Sequence, residues 1–145
     1  MTDIIKNGYL EAVLFLFSSK GQILIEHRPI SNGKEIFIPN GRIDTSDLNN
    51  SDYRIAALNR EIREEFSGLV IPKKIKYLGQ FDVIEKKIRF FGYLITDWEG
   101  EIPKFTVENS KKFADLEWIP ASDFKKYLKF ESALFFVRKS IQFIK

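Results

Sequence analysis

Two apolar runs, residues 9–17 and 22–27, are rich in β-branched, aromatic and aliphatic side chains, and Ser18-Ser19-Lys20-Gly21 between them has turn chemistry. The pattern predicts a β-hairpin. A short strand over residues 35–38 runs into Pro39-Asn40-Gly41, which reads as a turn, and residues 44–51 are polar and loop-like. From 52 to 66 the period changes: Ile55, Leu58, Ile62 and Phe66 recur at spacings of three and four, the mark of an amphipathic helix. Asp52, or Ser51 before it, suits the N-cap, and Gly68 falls just past the end. Residues 74–83, 87–96 and 115–119 read as further strands. Pro120-Ala121-Ser122-Asp123 opens a short helix reaching about Leu128. A last helix carries Leu134, Val137, Ile141 and Ile144 on one stripe, with Arg138, Lys139 and Gln142 turned to solvent and Phe135 or Phe136 left for a second contact. Strands before, around and after helices predict a mixed α/β, or α+β, fold in which helices cover both faces of a sheet.

Composition narrows the picture. A chain of 145 residues, 44% hydrophobic with 14 Phe and 2 Trp, has the material for one core, so a single domain over residues 1–145 is expected. No repeat or low-complexity linker divides it. The formal net charge of +3 is too small to point to a nucleic-acid binder. With no Cys, disulfides, thiolate metal sites and cysteine nucleophiles are excluded, so any metal must be held mainly by oxygen. The start lacks a basic n-region, and the apolar run 12–17 is too short to span a bilayer or form a full signal core; a cytoplasmic protein without a membrane partner is expected.

The chemistry concentrates in Arg60-Glu61-Ile62-Arg63-Glu64-Glu65. At helical spacing Glu61, Glu64 and Glu65 share one sector beside the apolar stripe. Like charges four apart cost a helix roughly 0.2–0.5 kcal/mol per pair unless a cation sits among them. Clustered hard oxygen donors suit Mg²⁺ or Mn²⁺. A solvated acidic face is the commoner use of such a pattern, and what outweighs it here is the surrounding sequence.

The segment resembles the Nudix box, in which Arg, Glu, an aliphatic residue, any residue, Glu, Glu, any residue, Gly and an aliphatic residue follow one another. Arg60, Glu61, Ile62, Glu64 and Glu65 match, and Gly68 arrives one position late. Upstream the family has Gly, five residues, Glu and seven more before the Arg. Asp52 stands eight before Arg60, in the Glu position, and Gly41 eleven before Asp52, which reads as five residues inserted within 44–51. Pro39-Asn40-Gly41 resembles the family's Pro-Gly-Gly opening, Ile23-Leu24-Ile25-Glu26-His27-Arg28 its early strand ending in a basic residue, and Leu116-Glu117-Trp118-Ile119-Pro120 its late strand before a helix.

The resemblance implies a Mg²⁺-dependent hydrolase, with Mn²⁺ as the alternative ion, acting on a nucleoside-diphosphate-linked substrate. Glu61, Glu64, Glu65 and the Gly41 carbonyl become metal ligands, Arg60 orients a Glu, and the general base is Glu61 in the box or Glu108 on a later loop. Arg28 and Arg42 become candidate phosphate binders. The lone His27 has no second imidazole beside it and is expected to be structural or exposed. The run from Thr96 to Glu101, ahead of Glu108, is similar to the MutT-like branch. It implies a nucleoside triphosphate first and a nucleotide sugar or dinucleotide second, with Trp98 or a Phe stacking on the base. A catalytically silent nucleotide-binding domain is disfavoured by the intact carboxylates, and a prenyl-diphosphate isomerase by the missing Cys. A homodimer is compatible with the chain.

Overall fold

The computed structural model describes residues 2–30 and 33–144. Its strands are β1 (Ile5–Lys6), β2 (Tyr9–Ser19), β3 (Gln22–Ile30), β4 (Gly33–Phe37), β5 (Asn40–Arg42), β6 (Val70–Val83), β7 (Ile88–Gly100), β8 (Phe105–Glu108) and β9 (Lys111–Pro120). The α-helices are α1 (Tyr53–Glu65), α2 (Phe124–Tyr127) and α3 (Glu131–Ser140), with 3₁₀ turns at Thr45–Asn49, Ala121–Asp123 and Ile141–Phe143.

Lys20 and Gly21 both take positive φ, 53° and 77°, so a two-residue turn of the I′ kind closes the predicted hairpin. The hairpin then opens. β2 and β3 are paired only at Ser18↔Ile23 and Ser19↔Gln22. Beyond that, β2 takes β7 as a parallel neighbour from Leu10↔Ile88 to Phe17↔Ile95 and receives β5 on its other edge, while β3 pairs with β4 and β9. The sheet order is β6-β7-β2-β3-β9-β8. Splitting the hairpin leaves a cleft between the β2/β5 and β3/β4 arms, and the candidate site lies there.

β2 is buried on both faces, which explains its unbroken apolar run. Val13, Phe15 and Phe17 pack with Leu58, Ile62 and Phe66 under α1, whereas Leu14 and Leu16 join Phe136 and Val137 under α3. Fully burying such a side chain stabilises by about 1.5–3 kcal/mol. The mixed sheet between helices is therefore as expected.

Four local expectations change. Asn40 and Gly41 do not turn: they lie in β5, opposite Leu14 and Val13, and Gly41 is not among the positive-φ residues. Residues 44–51 contain a 3₁₀ turn, with the Asp44 N–H donating to Asp47 Oδ2 at 2.9 Å. β6 and β7 are longer than read, and β8 is an additional strand. On α3 the buried face is Ser132, Ala133, Phe136, Val137 and Ser140, while Leu134 is half-buried and Ile141 is exposed. Arg138, Lys139 and Gln142 do face solvent. The face turned because small residues let α3 approach β7 closely: a Cβ on Gly92 would strike the Phe136 ring. Phe135 makes the second contact, against Phe81 at 5.1 Å between ring centroids. No helix among the described residues is long and apolar enough to cross a membrane.

Candidate functional site

α1 runs from the Asp52 N-cap, whose side chain accepts from Ile55 N at 3.2 Å, to Phe66. Its apolar stripe fixes the helix on the sheet and turns Glu61, Glu64 and Glu65 into a cleft of about 1480 Å³, whose walls include Arg28, Glu35, Gly41, Arg42 and Glu108. Glu61 and Glu65 are buried, whereas the Glu64 side chain is 50% exposed.

Arg60 organises the box end of the cleft. Its Nε and one terminal nitrogen donate to Asp47 Oδ1 and Oδ2 at 3.0 and 2.9 Å, and the same terminal nitrogen donates to the Arg42 carbonyl at 2.9 Å. The other terminal nitrogen donates to Glu61 at 3.0 Å and Glu64 at 3.3 Å. All five guanidinium N–H groups are thus engaged. The hydrogen bonds to Asp47 raise Arg60's pKa further, against the effect of burial.

This network corrects the alignment read from sequence. Asp52 caps α1, and Asp47 is the acid that reaches Arg60. Asp47 lies six residues after Gly41, the family's own spacing, so the five extra residues fall between Asp47 and Arg60. They form the rest of the 3₁₀ turn and the lead-in to the helix.

Gly41 is required for proximity. A Cβ at this position would overlap the Glu61 carboxylate and force it to move, so glycine lets the β5 backbone lie against Glu61 as placed. Burial raises the pKa of Glu61 against the pull of Arg60. Glu65 is raised well above the ordinary carboxylate range, by burial first and then by Glu26 and Glu61.

Sequence reasoning passed over Glu26. Burial pushes its carboxyl up to about 7, with Arg28 opposing. Alternation along β3 puts Leu24, Glu26 and Arg28 on one face, and Leu24 packs in the core under α1. That period-two signal was available. Asp47 was also missed, although its distance from Gly41 was countable.

Arg28 lies in the cleft between Phe37 and Phe113, its guanidinium carbon 5.8 and 5.3 Å from their ring centroids. Arg42 is at the rim, two-thirds exposed and paired with Asp3 at 3.0 Å. Glu108 ends β8 beside a tight turn in which Asn109 and Ser110 have φ of 51° and 63°, so it is a strand-end residue facing the cleft. His27 pairs with Glu117 at 2.7 Å. Trp98 does not line the cleft, since it packs on Phe17 and stacks on Trp118, and of the expected stacking candidates, Trp98 or a Phe, it is Phe37, Phe90, Phe113 and Phe130 that reach the cleft wall.

A family model for the NUDIX domain matches residues 10–138. The chain belongs to the Nudix family. Among solved structures, it is similar to a MutT from work on the Aliivibrio salmonicida and Vibrio cholerae proteins, at 20% identity and a TM-score of 0.70, covering 92% of this chain and 98% of that one. The NUDIX domain of Shewanella oneidensis NrtR, solved with ADP ribose, matches at 14% identity and a TM-score of 0.69, covering 94% and 89%. A MutT Nudix hydrolase from Burkholderia pseudomallei matches at 18% and 0.67, covering 89% and 95%. These likenesses are of fold. No curated protein matches by sequence search.

Nudix hydrolases use divalent ions, and the donor chemistry here fits one. Two buried carboxyls, Glu61 and Glu65, line the cleft beside the half-exposed Glu64, and the Gly41 backbone lies against Glu61 where a Cβ would intrude. Among the described residues no three acidic, His or Cys side chains converge as a finished metal cage. An ion bound here by a few carboxylates must draw further oxygens from solvent and substrate, as Mg²⁺ does.

Proposed function

We propose that this Nudix chain is a Mg²⁺-dependent hydrolase, with Mn²⁺ as an alternative ion, that cleaves the phosphoanhydride bond of a nucleoside-diphosphate-linked substrate. The observation that carries the reading is the burial of Glu61 and Glu65 against Gly41 in a cleft that also holds Arg28.

Glu61, Glu64, Glu65 and the Gly41 carbonyl are the residues that would hold the metal. The ion, when bound, neutralises phosphate charge, aligns the diphosphate and makes water more acidic. The protein's own contributions are positional. Arg60, anchored on Asp47, keeps Glu61 and Glu64 oriented, and Arg28 and Arg42 offer cationic edges to phosphate oxygens. The general base is Glu61 or Glu108: the first is already held by Arg60, whereas the second is exposed at the cleft edge. The nucleoside-triphosphate expectation drew on the stretch containing Trp98, which packs against the core away from the cleft. Diphosphate esters such as nucleotide sugars therefore stand beside triphosphates as candidates, and an ADP-ribose-bound NUDIX domain of similar fold supports including them.

The test is Mg²⁺-dependent phosphate release over nucleoside triphosphates, nucleotide sugars and dinucleotides, with Glu65→Gln as the control. Glu65→Gln keeps the shape but is a far weaker ligand, and turnover is expected to fall by roughly two or more orders of magnitude. Its thermal shift on adding Mg²⁺ should shrink as well. Full activity and a wild-type Mg²⁺ response in this variant would reduce Glu65 to a buried acid without a metal role.

A further inference from the structure

Glu26 is an expensive residue to keep. Its side chain has no solvent exposure, and neither carboxylate oxygen has an aligned hydrogen-bond donor among the described residues. Its charge partner is Arg28, with Nε 2.5 Å from Glu26 Oε2 at an angle that makes the contact an ion pair and leaves Nε unsatisfied as a donor. A buried carboxylate with one cation and no further hydrogen bonds is poor stabilisation, and an uncharged side chain of the same size often serves the fold as well or better. The reason to retain it must lie in what it does to Arg28.

The geometry of Arg28 supplies that reason. Glu26 takes the Nε side from inside the sheet, while Phe37 and Phe113 flank the guanidinium. Glu35 is 3.9 Å from one terminal nitrogen, beyond hydrogen-bond range, and among the described residues no hydrogen bond is made by either terminal nitrogen. The side chain is 24% exposed and lines the cleft that holds Glu61 and Glu65. A guanidinium held from behind with its outer nitrogens unclaimed is arranged for bidentate contact with phosphate oxygens.

We propose that Glu26 is a positioning residue: it fixes Arg28 between Phe37 and Phe113 so that the outer guanidinium edge meets the substrate diphosphate. This rests on the diphosphate reading given above and extends it to a residue outside the box. Glu26 does not touch substrate; it acts through Arg28.

The experiment compares wild type, Glu26→Gln, Arg28→Gln and the double variant. ADP binding with Mg²⁺ present is read by calorimetry, KM and kcat on the best substrate by kinetics, and thermal stability without ligand. Glu26→Gln should weaken ADP binding about tenfold and raise KM similarly, with a smaller fall in kcat, while stability stays level or rises. Arg28→Gln should do the same, and the double variant should be no more than about twofold worse than Arg28→Gln alone. Unchanged ADP affinity in Glu26→Gln overturns the proposal. So does a loss of stability that accounts for the binding defect, or a loss of the Mg²⁺-induced thermal shift, which would make Glu26 a metal ligand. A wild type that binds ADP but hydrolyses nothing defeats the hydrolase reading alone; one that binds no ADP defeats both.

Discussion

Ser67 follows the last turn of α1 with φ of 53°, in left-handed backbone. Gly68 N donates to the Arg63 carbonyl at 2.7 Å and Ser67 N to Glu64 at 3.4 Å, the pair of bonds that ends a helix in a Schellman motif. Ser67 stands where the Nudix box has glycine, so the late Gly68 leaves a serine in the strained position. Left-handed backbone costs an L-residue roughly 1–2 kcal/mol, and glycine gives back part of that as unfolded-chain entropy. Ser67→Gly should therefore gain about 0.5–1 kcal/mol in urea denaturation, and a less stable variant would contradict the strain. Asp47 and Asp52 can be separated in the same assay. Asp52→Ala removes a helix cap and should cost about 1 kcal/mol. Asp47→Ala takes two charge-assisted hydrogen bonds from Arg60, whose side chain is 12% exposed, and should cost roughly 3 kcal/mol. Equal costs would return Asp52 to the box position from which the structure removes it.

At the scale of elements, α3 shows how packing overrides pattern. Leu134, Val137, Ile141 and Ile144 make a plausible apolar stripe, yet the helix seats itself through Ala133, Phe136, Val137 and Ser140. Depth of approach decided this: Gly92 opens a site on β7 that the Phe136 ring fills, and the small Ser132, Ala133 and Ser140 let the backbone come close. Phe136→Ala should cost about 3–5 kcal/mol, the usual loss for a fully buried aromatic, whereas Ile141→Ala should stay within about 0.5 kcal/mol. A larger loss at Ile141 would favour the stripe read from sequence. The same logic explains Asn40-Gly41, where glycine signals a close approach of backbone to Glu61 instead of a turn.

For the molecule as a whole, the cleft and the sheet behind it concentrate carboxyls whose pKa values are raised by burial: Glu26 to about 7, Glu61 above its ordinary value, and Glu65 well above it. Between about pH 4.5 and 7 the folded protein holds protons that the unfolded chain has released, so without metal its stability should fall as pH rises through this window. Glu26 by itself contributes on the order of 3 kcal/mol to that fall. Mg²⁺ should restore stability at the upper end, because it favours the ionised carboxylates of the folded state. Denaturation at pH 5, 6 and 7, with and without Mg²⁺, checks this; metal-free stability that is flat or rising would mean that these groups titrate normally. Glu26→Gln should flatten part of the slope.

The sequence by itself determined what periodicity and local chemistry carry. The hairpin with its turn within Ser18–Gly21, the helix over about residues 52–66 with Asp52 or Ser51 before it, and the carboxylate face of that helix follow from residue spacing within a few turns or strands. Tertiary structure decided everything that depends on which distant segments meet. It chose Asp47 over Asp52 as the partner of Arg60, packed Trp98 against the core, rotated α3 onto Phe136, and brought Glu26 from β3 within electrostatic reach of Glu65 on α1. The physical reason is common to all four. Local pattern specifies which face of an element is apolar, but burial, close approach and charge pairing are properties of two surfaces in contact, and the second surface is not encoded within the first.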